Sequence, residues 1–140
     1  MSSDSAPLIV RISAAVIRDG QGRFLLVRKR GTTAFMQAGG KIETGETSLA
    51  ALQRELMEEL GLVVEAAEAK FLGCFEAEAA NEPGHRVQAD LFELSLDGPV
   101  TAAAEIEELI WLSPSAPALP SLAPLTREHV LRLPRQTNEH

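Results

Sequence analysis

Between residues 39 and 62 the chain reads GGKIETGETSLAALQRELMEELGL. Leu49, Leu52, Leu56 and Leu60 recur at spacings of three, four and four. That is the apolar stripe of a helix packed by one flank. Thr47 or Ser48 can cap its start and Gly61 can end it, which predicts a helix over 48–60. Five glutamates lie in the same 24 residues. At about 100° per residue, Glu55, Glu58 and Glu59 fall within about a 100° arc beside the leucines. One flank of the helix should pack on a sheet while the next turns three carboxylates toward one point.

Like charges at helical spacing repel, so the arrangement costs stability unless something positive sits among them. A hard divalent cation takes oxygen ligands and would remove that repulsion. Taken alone, a charged run on a helix is a solvated face. The flanks argue for more. Gly39 and Gly40 let backbone turn sharply and approach a ligand closely, and Gly45 gives a second turn before the helix. Arg54 sits one turn from Glu58, where its planar fork can hold carboxylates in place.

The remaining chain restricts the alternatives. Its 140 residues suit a single domain spanning 1–140, with small polar ends at 1–6 and 135–140 expected to be loose. A net charge of −7, one Trp and no Tyr speak against an extended nucleic-acid partner, which needs basic and stacking surfaces. The lone Cys74 excludes an internal disulfide framework and reads as a small buried residue. The start lacks the positive charge of a signal peptide and no stretch reaches membrane-spanning length, so the expected location is the cytoplasm.

Residues 8–17 and 23–30 read as a hairpin around the turn DGQG. Further strands are predicted at 69–79, 87–96 and 106–112, and a short amphipathic helix at 125–133. The order of strands, helix, strands, helix implies an α/β (α+β) fold, a mixed β-sheet with helices on its faces. Trp111 and Phe35 are large enough to stack on a base, and Trp111 reads as core. His85, His129 and His140 have no ligand spacing.

Gly40, Glu46, Arg54, Glu55, Leu56, Glu58, Glu59, Gly61 and Leu62 fill the pattern G-x5-E-x7-R-E-U-x-E-E-x-G-U, with U aliphatic. This resembles the signature of the Nudix hydrolases, and the short chain looks MutT-like. The one visible departure is Ala38, where many members have proline. The resemblance implies an α/β/α sandwich and hydrolysis of a pyrophosphate bond in a nucleoside diphosphate linked to some group X. It implies Mg²⁺ or Mn²⁺ held by Glu55, Glu58, Glu59 and the Gly39 carbonyl, with Arg54 orienting the carboxylates. Glu55 or a downstream glutamate would take a proton from water. Glu46, with Gly40 and Gly61, would be structural, or Glu46 a helix-start acid favoured by the dipole.

Relatives also recruit an acid from before a tryptophan. Glu105 is the preferred candidate in AEIEELIW, with Glu107 and Glu108 as rivals. Arg28, Lys29, Arg30 and Lys41 are candidates for substrate phosphates. A nucleoside triphosphate cleaved between its α and β phosphates is the leading substrate. ADP-ribose, nucleotide sugars or a non-catalytic nucleotide-sensing module are the alternatives. The tyrosine of dinucleoside polyphosphate hydrolases and the array of NADH-cleaving members are absent, and EAEAA (76–80) stands where ADP-ribose hydrolases carry proline. Many relatives are homodimers.

Overall fold

A computed structural model describes residues 8–134, so both expected loose ends, 1–6 and 135–140, lie outside the described residues. The elements are β1 (Leu8–Arg18), β2 (Phe24–Lys29), β3 (Ala38–Lys41), α1 (Ser48–Leu60), β4 (Lys70–Glu78), β5 (His85–Ser95), β6 (Ile106–Leu112) and α2 (Pro124–Glu128). Single 3₁₀ turns follow α1 at Ala66–Glu68 and α2 at Val130–Arg132.

The strands form one six-stranded mixed sheet in the order β4-β5-β1-β2-β6, with β3 also on β1. β1 runs parallel to β5 along its whole length and antiparallel to β3 from Ile12 to Ala15. Enclosed on both edges, β1 is buried from Ser13 to Arg18, where its apolar run Ala14–Ile17 lies, while Arg11 stays exposed. The expected hairpin closes only at its base, where Arg18 opposes Phe24. Beyond that point β2 leaves β1 to pair with β6, because β3 takes the vacated edge of β1.

Alternation along the strands divides the core between the two faces. Ala15, Ile17, Leu25, Val27, Phe92 and Leu94 meet Leu52, Leu56 and Leu60 of α1. Ala14, Val16, Phe24, Leu26 and Leu91 meet Leu125 of α2 and Val130. The leucine stripe is therefore what seats α1, and the three-layer sandwich is observed. Thr47 caps α1 through its hydroxyl, which accepts from Ala50 N–H at 3.0 Å. Gly61 ends it in the left-handed conformation at φ 66°. The second helix is shorter than the sequence predicts: it breaks at His129, where φ is −120°, and resumes as the 3₁₀ turn.

Cys74 is exposed rather than buried. It lies on β4, the edge of the sheet, and this face of the edge has no covering layer. Trp111 is half-buried against the α1 side of the core, and Phe35 is buried on the α2 side. Among the described residues, no helix is long and apolar enough to cross a membrane.

Leu56 is fully buried while its neighbour Met57 is 47% exposed. Leu56→Ala should cost about 2–5 kcal/mol of folding stability, and Met57→Ala less than about 0.5 kcal/mol. Urea denaturation of the two variants checks the contrast.

Candidate active site

The site is built where α1 crosses β3. This approach is close because β3 carries two glycines. A Cβ at Gly39, whose φ is 150°, would stand 2.2 Å from the Ser13 carbonyl oxygen of β1. A Cβ at Gly40 would stand 2.5 Å from the Glu55 carboxyl carbon. Any side chain at either position would push strand or carboxylate away. The buried Ser13 hydroxyl donates to the Ser48 carbonyl at 2.7 Å and fixes the start of the helix to β1.

Arg54 is the hub of the acidic cluster. Its Nε and Nη2 donate to the two carboxylate oxygens of Glu46 at 2.7 and 2.9 Å, a bidentate pair. Its Nη1 donates to Glu55 at 2.8 Å and lies 3.8 Å from Glu58. Its Nη2 also donates to the Lys41 carbonyl at 3.1 Å. Glu46 in turn accepts from the Glu43 N–H at 2.9 Å. These bonds hold the Glu46 carboxyl down at about 2, the Arg54 fork first and the Glu43 N–H next. Glu46 thus ties the loop to the helix, one of the two roles open from the sequence.

Glu59 points the other way, into the protein. It is 5% exposed, and its Oε1 accepts from the Gly39 N–H at 3.1 Å. Lys29 Nζ stands 3.9 Å from Oε2. Burial pushes this carboxyl up to about 7, against the pull of Lys29 and the Gly39 N–H, and the neighbouring Glu55 adds to the push. Glu58, the residue before it, is exposed.

Among the described residues, no three His, Cys, Asp or Glu side chains converge into a closed metal cage. The three carboxylates are not gathered at one point as the helical arc suggests. Arg54 draws Glu55 and Glu58 toward itself, while the Gly39 N–H and Lys29 hold Glu59. The donors still suit a hard cation. They are oxygens on one helix flank, and Glu55 crowds a Glu59 that burial already disfavours as an anion. A divalent ion among them would relieve that conflict.

Beside the glycines lies an open cleft of about 280 Å³. Gly39, Gly40, Lys29 and Lys41 line its polar end, and Val10, Ile12 and Val87 its apolar wall. Of the four predicted phosphate cations, only Lys29 and Lys41 line the cleft. Arg28 pairs with Glu108 at 3.0 Å and Arg30 with Glu107 at 3.3 Å, both on β6. Strand alternation, with a bulge after Arg28, sends Arg28 and Lys29 to different partners. Glu105 is exposed in a turn that is anchored at both ends. Its carbonyl accepts from Arg30 N–H at 2.8 Å, and Ala103 N–H donates to the Glu59 carbonyl at 2.8 Å.

Sequence reasoning passed over Gln37, which lines both the cleft and a smaller apolar cavity that shares residues with it. The one available signal was a lone amide between Met36 and Ala38.

Comparison with known proteins agrees with this geometry. Residues 8–133 match the NUDIX domain family. A stretch of 59 residues is 39% identical to an 8-oxo-dGTP diphosphatase of Haemophilus influenzae, covering 39% of this chain and 43% of that protein. The fold is similar to a MutT NUDIX hydrolase of Burkholderia pseudomallei, with a TM-score of 0.67 and 24% identity over 81% of this chain and 89% of that one. It is also similar to a MutT protein of Methanosarcina mazei, with a TM-score of 0.64 and 24% identity over 77% of this chain and 79% of that one. The chain belongs to the Nudix family.

Because the Glu46 carboxyl titrates near 2 when folded and near 4.5 when free, its pairing with Arg54 is fully present above about pH 4.5. The contribution is lost as the pH falls from there toward 2. Glu46→Gln should therefore be less stable than the parent at pH 7, and the gap should close between pH 4.5 and 2. Denaturation midpoints measured across that range check it.

Proposed function

We propose that the chain is a divalent-metal-dependent pyrophosphohydrolase acting on a nucleoside diphosphate linked to a further group, with a nucleoside triphosphate as the leading substrate. The observation that carries this reading is the Arg54-organised carboxylate cluster set against Gly39 and Gly40 at the polar end of the cleft. A polyphosphate is an anion attacked by a nucleophile that must itself lose a proton, so charge compensation dominates the chemistry. Mg²⁺ or Mn²⁺, when bound, supplies that compensation and lowers the pKa of bound water.

The residues divide that work. Glu55, Glu58, Glu59 and the Gly39 carbonyl would hold the metal. Arg54 is the positioning residue: it keeps Glu55 and Glu58 on one side of the helix and ties them to Glu46. Lys29 and Lys41 would meet substrate phosphates at the mouth of the cleft. Glu55 or Glu105 would accept the proton of the attacking water. Two observations support Glu105 over its neighbours. Among the described residues Glu107 and Glu108 are committed to Arg30 and Arg28, and the turn bearing Glu105 is fastened to the Glu59 end of α1.

One relative is an 8-oxo-dGTP diphosphatase and one fold neighbour is a UDP-X diphosphatase, so nucleotides are the substrate class to try first. A sensing module that binds without cleaving is less consistent with a complete set of carboxylates.

Glu58→Gln and Glu59→Gln should each lower metal-dependent nucleotide turnover by at least about a hundredfold while the protein stays folded. Phosphate release from a nucleotide panel with coupled pyrophosphatase, in Mg²⁺, in Mn²⁺ and in EDTA, measures it. Turnover that survives both substitutions would remove the carboxylates from the metal site.

A further inference from the structure

A smaller cavity of about 70 Å³ shares Ile12, Ala14, Met36, Gln37 and Val87 with the cleft. Ile12, Ala14, Met36, Val87, Ala123 and Leu125 give it apolar walls. Gln37 and the exposed strand-end residue Glu78 also line it. Gln37 is 5% exposed, and among the described residues its Nε2 has no hydrogen-bond partner. A buried amide donor left unpaired is costly, so it calls for an explanation. Its other end is committed. Oε1 accepts from the fully buried Thr126 hydroxyl on α2 at 3.0 Å.

That commitment changes what the glutamine can recognise. A free glutamine amide reads adenine with both ends, accepting from the amino group and donating to the ring nitrogen beside it. With Oε1 occupied by Thr126, Gln37 is a donor only. The ring-nitrogen acceptors on the pairing edges of adenine and cytosine stand beside an exocyclic amino group. Such an edge would bring NH₂ against the NH₂ of Gln37. An exocyclic carbonyl presents only an acceptor, and it projects beyond the ring toward a recessed donor.

We infer that Gln37, oriented by Thr126, is a specificity-determining donor that selects nucleotides whose base carries an exocyclic carbonyl over those with an amino group in its place. The inference rests on the reading of the cleft as a nucleotide site, with phosphates at the Gly39–Lys41 end and the base beside Gln37. The flexible Met36 side chain on the cavity wall can adjust as the base enters.

Binding tests it apart from catalysis. The probes are α,β-methylene triphosphates, which resist cleavage between those phosphates. Inosine is compared with adenosine, and uridine with cytidine, by calorimetry in Mg²⁺. The oxo member of each pair should bind about tenfold more tightly, the worth of one hydrogen bond plus an avoided mismatch. Gln37→Leu should abolish the difference. Thr126→Val, which frees Oε1 and leaves Gln37 in place, should narrow it, and thermal melting confirms that each variant is folded. Equal binding within both pairs, an adenosine preference, or a preference that survives Gln37→Leu would overturn the inference, as would binding of none of the four. An oxo preference without turnover of any member of the nucleotide panel would uphold it while ending the hydrolase reading. Turnover without preference would do the reverse.

Discussion

The organisation of the site depends on one guanidinium. Arg54 carries five donors in a rigid plane, and the structure uses three edges of it at once. One edge grips both oxygens of Glu46, one reaches Glu55, and one meets the Lys41 carbonyl. Without it, the acidic residues of α1 and its leading loop would repel across one helix flank. With it, the loop that carries Gly45 is tied to the helix, and β3 is tied to both. Lysine, a point charge on a flexible stem, could neutralise the cluster without imposing that geometry.

The second constraint is steric. A helix and a strand ordinarily keep the distance their side chains demand. Gly39 and Gly40 remove those side chains where α1 crosses β3, so the Glu55 carboxylate and the Glu59 contact with the Gly39 N–H can both form. The leucine stripe then acts on function as well as stability. It fixes the rotation of α1 on the sheet, which buries Glu59 and leaves Glu58 in solvent. Burial makes Glu59 hold its proton more tightly than a free carboxyl, and a cation at this point would compete for the same oxygens.

Local features of the sequence were the legible ones. The stripe, the Thr47 cap and the Gly61 stop lie within one helix, so they predict α1 to the residue. The strand at 106–112 was equally readable. What the sequence did not show depends on which distant strands meet. The hairpin closes only at its base because β5 and β3 take the edges of β1. Arg28 and Arg30 face carboxylates rather than the cleft because β2 pairs with β6. Cys74 is exposed because β4 is the last strand of the sheet. Gln37 gains meaning only once Thr126, 89 positions away, is brought against it. Gly39, Gly40, Arg54 and the three glutamates of α1 were legible from their spacing, and their roles came only with the resemblance to the Nudix signature. Their convergence on Arg54 is visible only in three dimensions.

The most direct test of the central claim is Mn²⁺ binding, followed by electron paramagnetic resonance, in the parent protein and in Arg54→Lys. If Arg54 organises a metal site, the parent binds Mn²⁺ and the variant, still folded and carrying the same charge, binds it about 10–100-fold more weakly. An undiminished affinity in Arg54→Lys, or no binding by the parent, would contradict the account.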